Sequence, residues 1–328
     1  MRTSPAVLSA IAAAVLVLSA CSASEATSSS PSATDVTAAT ACLPIADEAI
    51  VLLSDDKNLQ TVDNVIPAVN SETAADPAIL AALDAVSAVL TTPKLVALNR
   101  ATDVDFESSS AAAATFVAAE GLTAPQSGSG SLTVGAANFS ENITVAEVYA
   151  AVLRDAGYTV EVRTIGNRET YMPALTGGEI DVVPEYVGTV TEYLNRSING
   201  PEAEQLASSD LDATVGHLTT LAEQSGLAFG TPAAAQDQNA FAVTQAFADA
   251  HGISTLSDLA RECGPIPLGG PAECPDRPFC QPGLEETYGI QFDEFRSYDY
   301  PGGPLMKAAL RQGEVVLALM LTSDGTLG

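Results

Sequence analysis

Residues 132–189 read LTVGAANFSENITVAEVYAAVLRDAGYTVEVRTIGNRETYMPALTGGEIDVVPEYVGT. Leu132-Thr133-Val134 is a short apolar strand running into Asn138-Phe139-Ser140. Val145, Val148, Tyr149, Val152 and Leu153 then recur at helical spacing, and Gly157 ends that helix. Thr159 to Ile165 reads as a second strand and Ile180 to Val183 as a third, stopping at Pro184-Glu185-Tyr186. A β-α-β-α-β order predicts a parallel sheet, with ligand contacts at the C-terminal ends of its strands. Polar and aromatic side chains stand at all three ends: Asn138, Phe139 and Ser140; Asn167 and Arg168; Glu185, Tyr186 and Thr189.

GAANFSEN, the GGEIDVVPEY run and the Tyr-Val-Gly-Thr that follows resemble the binding proteins of ABC importers for glycine betaine, choline and related osmoprotectants, the OpuAC/ProX type. The resemblance implies an α/β, two-lobed, periplasmic-binding-protein-like fold of type II, closing by a hinge on a solute held between the lobes. It implies no covalent chemistry, so the expectation is a binding protein rather than an enzyme.

The region from Cys42 to Leu122 carries elements that such a family has at its C-terminal end. Ala49 to Leu53 is a strand followed by the turn Asp55-Asp56-Lys57-Asn58, and Val65 to Val69 is a second apolar run. Asp76-Pro77 and Thr92-Pro93 read as helix starts. A further helix spans about Ala111 to Glu120. At the other end, Gly313-Glu314-Val315 to Thr322-Ser323-Asp324-Gly325 resembles the family's late G-E-V and T-D-G elements, after which its L-x-D-D-K strand would follow. The expectation is therefore a circular permutation, residues 42–122 being equivalent to the family's C-terminus and residues 132–328 to its remainder. Thr123 to Ser131, TAPQSGSGS, would join old C-terminus to old N-terminus as a flexible polar linker. A truncated duplication and two independent domains are the rival readings. The first lobe is expected to comprise about 42–122 plus 132–232, and the second about 233–321.

Arg2, the apolar run Ala6 to Leu18 and Leu18-Ser19-Ala20-Cys21 read as a lipoprotein signal (residues 1–20), cleaved before an acylated Cys21. Residues 21–41, rich in Ser, Ala and Thr, read as a tether holding the domain off the membrane. The expected location is lipid-anchored on the extracytoplasmic face of the cell membrane. The chain has 41 acidic residues against 13 basic ones. Nucleic acid is thereby disfavoured as a partner, since phosphate binding needs basic patches. Expected partners are a small-molecule solute and an ABC permease with its ATPase, the chain itself being a monomer; no cofactor or metal is expected. Cys42, Cys263, Cys274 and Cys280 are candidates for two disulfides, with three possible pairings. A metal site is the weaker rival, because no CxxC occurs and His217 and His251 are the only histidines.

By resemblance, Tyr186 packs against a quaternary ammonium and Thr189 binds a ligand carboxylate. Gln236-Asp237-Gln238-Asn239-Ala240-Phe241 is similar to the family's entry into the second lobe, placing Asp237, Asn239 and Phe241 at the ligand. Arg277-Pro278 resembles a loop in which Arg277 clamps a carboxylate with its forked guanidinium. Ser323 belongs to the T-D-G element. Several family tyrosines are replaced: one by Phe241, one by Leu321 and one by Asp63, beside Asn64. An ammonium cage needs several rings, so a full aromatic box is expected to be absent. Asp63 and Glu185 would instead supply negative charge. No nucleophile elbow, zinc motif or phosphate loop is visible, which disfavours a hydrolase on the same scaffold. A ligand-sensing or scaffold lipoprotein without a transporter is the other alternative.

Overall fold

The computed structural model describes residues 42–326, and the expected signal, lipidated Cys21 and tether lie outside that range. The strands are β1 (Ile50–Leu53), β2 (Val65–Asn70), β3 (Ser131–Ala137), β4 (Thr159–Gly166), β5 (Val182–Tyr186), β6 (Leu227–Phe229), β7 (Asn239–Thr244), β8 (Ile266–Pro271), β9 (Phe292–Tyr298) and β10 (Leu317–Leu321). They form two five-stranded sheets, ordered β4-β3-β5-β2-β6 and β1-β7-β10-β8-β9. The two sheets repeat one pattern. β3, β4 and β5 in one correspond to β8, β9 and β10 in the other, each set arranged second-first-third. A single antiparallel strand follows, β2 or β7, and then a last strand, β6 or β1. This 2-1-3-n-4 order is that of the type II binding-protein fold.

The first lobe's sheet is covered on both faces, as a mostly parallel sheet must be. Helices α1 (Pro77–Ser87), α2 (Thr92–Asp103), α3 (Ser109–Glu120) and α4 (Ser140–Asp155) supply Ile79, Leu83, Leu95, Phe116, Val148 and Leu153 to one core. Helices α5 (Arg168–Thr176), α6 (Val187–Asn199) and α7 (Leu211–Ser225) supply Tyr171, Leu175, Val190, Leu194 and Leu218 to the other. α1 starts as its sequence dictates: the Asp76 carboxylate accepts from Ala78 N at 3.1 Å, with Pro77 at the first helical position. The second lobe packs α8 (Gln245–His251), α9 (Leu256–Glu262) and the helix Pro304–Arg311 around Phe241, Phe247, Leu268 and Leu317.

The N-terminal segment contributes one strand to each sheet. β1 pairs antiparallel with β7, so the stretch around Ile50–Leu53 belongs to the second lobe and not, as the sequence suggests, to the first. β2 inserts between β5 and β6 in the first lobe. Two segments connect the lobes, 54–64 and 230–238. They run antiparallel and hydrogen-bond to each other, Asp237 N to Asp63 O and Val65 N to Ala235 O, each at 3.0 Å. Thr123–Ser131 is not the free linker its composition predicts. Ala124 N donates to Asp155 Oδ2 at 2.8 Å and Gly128 N to Ala156 O at 2.8 Å. Gly128 also lies so close to the Tyr158 ring that a Cβ would come within 2.1 Å of Cζ.

The cysteines pair as Cys42–Cys263 and Cys274–Cys280. The first ties the start of the described chain to the end of α9; the second closes a loop on the cleft side of the second lobe. His251 Nδ1 lies 3.7 Å from Cys42 Sγ. With both sulfurs of the first pair joined, they are not thiolates and offer no metal site.

Candidate functional site

The first-lobe cavity wall grows out of a gap in its sheet. β3 and β5 are paired only at Val134 and Val182. Beyond that point the strands diverge, and the side-chain amide of Asn142 bridges them. Its Oδ1 accepts from Ala137 N at 2.8 Å and its Nδ2 donates to Pro184 O at 2.9 Å. Pro184 thus continues a strand that the sequence reads as ending there: it lacks an N–H, but at this point β3 no longer asks for one. The gap is the switch between the two crossover directions, where ligands bind in open α/β sheets. β8 and β10 occupy the same topological relation in the second lobe, and residues from the two lobes line one cavity.

Between them lies a cavity of about 480 Å³. From the first lobe it is lined by Asn138, Phe139, Asn167, Arg168, Tyr171, Tyr186, Thr189 and Tyr193; from the connecting segments by Asp63 and Asp237; from the second lobe by Asn239, Arg277, Phe279 and Tyr300. Six aromatic rings therefore surround it: Phe139, Tyr171, Tyr186, Tyr193, Phe279 and Tyr300. Phe139 and Tyr186 belong to the family motifs; Tyr171, Tyr193, Phe279 and Tyr300 come from positions the motifs do not mark, so more rings line the cavity than was expected. Tyr193 is one helical turn beyond Thr189 on α6, Tyr171 is three residues beyond Arg168 on α5, and Tyr300 follows the end of β9. Helical i,i+4 and i,i+3 spacing from residues already singled out would have found the first two. The strand-end rule applied to β9 would have found the third. Phe279 sits inside the disulfide loop and carries no such signal.

Five candidates lie off this cavity. Glu185 is fully buried behind the wall, accepting from Arg168 Nε (2.9 Å), Arg168 Nη2 (2.8 Å), Tyr171 Oη (2.8 Å) and Tyr186 N (3.1 Å). Asn64 is buried at the hinge, donating to Ala233 O at 2.7 Å. Phe241, two residues into β7, is carried roughly 7 Å from the strand start and packs in the second-lobe core. Ser140 is the first residue of α4, and with Ser323 it opens on a small side crevice. Ser323 is buried, its Oγ touching the carboxylates of both Glu141 and Asp237.

The electrostatics of the floor follow from burial. Asp63 Oδ1 accepts from the backbone N–H of Gly188 (2.9 Å) and Thr189 (3.1 Å), the first turn of α6. Burial nevertheless pushes its carboxyl up to about 7, against the opposing pull of those N–H groups and of Arg168. Asp237 and Glu141 are also raised by burial, and for Asp237 the neighbouring Glu141 adds to the rise. Ser323 has one hydroxyl proton for two carboxyl groups, so these acids are arranged to share protons. Tyr186 Oη donates to Glu141 Oε1 at 2.8 Å, and its ring stacks on Phe139 with centroids 6.2 Å apart. Tyr186 is thereby fixed with its ring at the cavity. At the mouth, Arg277 bridges to Glu169 of the first lobe at 3.1 Å and to Glu273 at 3.2 Å. This arginine, expected to clamp a ligand carboxylate, is engaged in two ion pairs, of which the one to Glu169 spans the lobes.

The family described as the substrate binding domain of ABC-type glycine betaine transport systems, OpuAC, matches residues 20–119 and 130–328. The glycine betaine-binding protein YehZ of Escherichia coli (strain K12) is 26% identical over 207 residues, covering 61% of this chain and 66% of that protein. A glycine-betaine-binding protein of Pseudomonas aeruginosa PAO1 is 28% identical over 207 residues, covering 60% of this chain and 63% of its own length. The matched part is thus a little under two thirds of either relative. Among solved structures, a glycine betaine/carnitine/choline ABC transporter protein aligns at a TM-score of 0.35 and 18% identity, covering 58% of this chain and 68% of that one. With the family matched over most of its length, the chain belongs to the OpuAC family of substrate-binding domains of ABC-type glycine betaine transport systems.

Proposed function

We propose that this protein is a lipid-anchored, extracytoplasmic receptor that captures a quaternary ammonium osmoprotectant between its lobes and presents it to an ABC permease and its ATPase. The observation that carries the reading is the interlobe cavity, which six aromatic rings line together with the acids Asp63 and Asp237. Ring faces attract a quaternary ammonium, which has no N–H to donate, by up to about 2 kcal/mol each where water is excluded. The two-segment hinge allows the lobes to part for entry and close on the solute. Asn138, Asn167, Thr189 and Asn239 supply polar contacts around the remainder of the ligand. Cys21 carries the lipid, and residues 21–41 hold the binding unit away from the bilayer.

The chain is, in the same proposal, a circular permutant of its family. Read from β3 to β10 and then through β1 and β2, the strands fill both 2-1-3-n-4 sheets in an unbroken course, which supports the permutation. The family match is also interrupted only at residues 120–129, where the joining segment lies.

A thermal-shift screen of the chain from residue 22 against betaines, choline, carnitine, ectoine and polyamines tests the function. A ligand that binds only the folded state adds about 2.7 kcal/mol at a hundredfold excess over Kd, a shift of several degrees. At least one trimethylammonium compound is expected to give it; a shift with none of them would refute the proposal.

A further inference from the structure

Resting on the reading of a hinged receptor, we infer that Glu141, Ser323 and Asp237 form a proton-sharing latch between the lobes, so that closing on a solute takes up a proton. Glu141 stands in the first turn of α4 in the first lobe, Asp237 in a connecting segment, and Ser323 just beyond β10 of the second lobe. The Ser323 hydroxyl touches a carboxyl oxygen of Glu141 and lies 2.7 Å from Asp237 Oδ1. Two such oxygen–oxygen contacts need two protons, and a hydroxyl supplies one. One of the two acids therefore holds the other. With both ionised, one contact would set a hydroxyl lone pair against a carboxylate, and two buried like charges would face each other across a single oxygen.

The segment after β10 is seated on the first lobe. Asn99 of α2 donates through Nδ2 to Glu141 Oε2 at 2.5 Å and to Ser323 O at 2.8 Å. Gly325 lies so close to α2 that a Cβ would come within 2.5 Å of Arg100 N. The surrounding titratable groups bring no free cation to the acids. Tyr186 of β5 donates to Glu141 Oε1. Asp63 adds negative charge beside Asp237, and Asp103, Tyr300 and Asp324 line the crevice next to Glu141. Lys307 is paired with Asp324 at 2.7 Å and Arg168 with Glu185 at 2.8 Å. Neither Glu141 nor Asp237 makes an ion pair with Lys or Arg among the described residues. Burial raises both carboxyls, and Glu141 raises Asp237 further. Parting of the lobes admits water and returns them toward the ordinary value near 4. The proton is thus held in the closed form and released on opening. Closure is favoured at the acid end and fades as pH rises through the raised value, by at most about tenfold per pH unit for one proton.

Small-angle X-ray scattering of the chain from residue 22, without solute, at about pH 6 and about pH 9 tests the latch. The unaltered chain is expected to be compact at the lower pH and expanded at the higher, with its far-ultraviolet circular dichroism unchanged. Asp237→Asn places a permanent N–H donor where the proton sits and is expected to stay compact at both. Ser323→Ala leaves the two acids without their shared hydroxyl and is expected to be expanded at both. Equal dimensions of the unaltered chain at the two pH values would overturn the latch, as would expansion accompanied by loss of helix signal. An Asp237→Asn chain that expands as the unaltered one does would also overturn it. Should that variant not fold, a Ser323→Ala chain compact at both pH values would have the same force. Because no solute is present, failure of the latch leaves the thermal-shift result standing, and failure of that screen leaves the scattering result standing.

Discussion

Tyr186 illustrates how a cavity-lining ring is held: Phe139 stacks on it and Glu141 accepts its hydroxyl, which fixes the ring in place. Ring and hydroxyl therefore have separable effects. Tyr186→Leu is expected to weaken quaternary-ammonium binding by roughly 2 kcal/mol, about thirtyfold in Kd. Tyr186→Phe is expected to bind within a few-fold of the original but to melt lower, because Glu141 loses a donor; calorimetry and thermal melts separate the two. Asp63 makes a pH prediction. Its folded-state carboxyl is raised to about 7, above an ordinary value near 4. Between those limits the folded chain holds a proton that the unfolded chain has released, so stability without ligand is lost as pH rises from about 4 to about 7. Thermal melts should fall over that interval and fall less in Asp63→Asn, whereas cation affinity should rise as Asp63 ionises. Tyr186, Thr189, Asn138 and Asp237 were legible because each stands at a strand end or in a motif. Tyr193 and Tyr300 were missed because a motif comparison counts matching letters, while a cage needs only rings that converge in space.

At the scale of elements, the sequence declared β1 to β5 and α1 to α4 through periodicity, caps and a glycine stop, and marked few of the second lobe's elements; the departures are informative. β5 runs on through Pro184 because Asn142 substitutes for the missing ladder. The Ser- and Gly-rich join lies pinned along the end of α4 because Gly128 can lie against Tyr158 where no larger residue fits. Composition reports the freedom of a chain in water and is silent about a partner surface formed elsewhere. The start of α6 is another such contact, where a Cβ on Gly188 would meet Thr61 Oγ1 and Val62 O at 2.4 Å. Gly188→Ala is expected to cost about 1–3 kcal/mol by overpacking and to lower affinity, since the connecting segment must retreat and take Asp63 with it. Melting and binding unchanged in that variant would contradict the close approach described here.

The whole molecule depends on residues that are distant in sequence, and here the strand-end motifs said least. That Cys42 pairs with Cys263, rather than with either cysteine of the loop, follows from β1 lying beside β7, which no spacing reveals. Because this bridge closes 221 residues and Cys274–Cys280 only six, replacing Cys42 and Cys263 by serine should lower stability by about 2–5 kcal/mol. Replacing the other pair should matter less to melting and more to the cleft. Since β1 and β2 complete the two sheets, a fragment beginning at residue 126 should not fold alone, and adding residues 38–125 in trans should restore a cooperative melt. Independent folding of the longer fragment would contradict the shared architecture. The central claim, that rings from both lobes enclose an ammonium over the acids of the hinge, is tested most directly by a crystal structure grown with choline. The account predicts the trimethylammonium group between Phe139 and Tyr186 on one side and Phe279 and Tyr300 on the other, with Asp63 beneath. Choline bound outside this cleft, or facing it with its hydroxyl while the ammonium points to solvent, would contradict it.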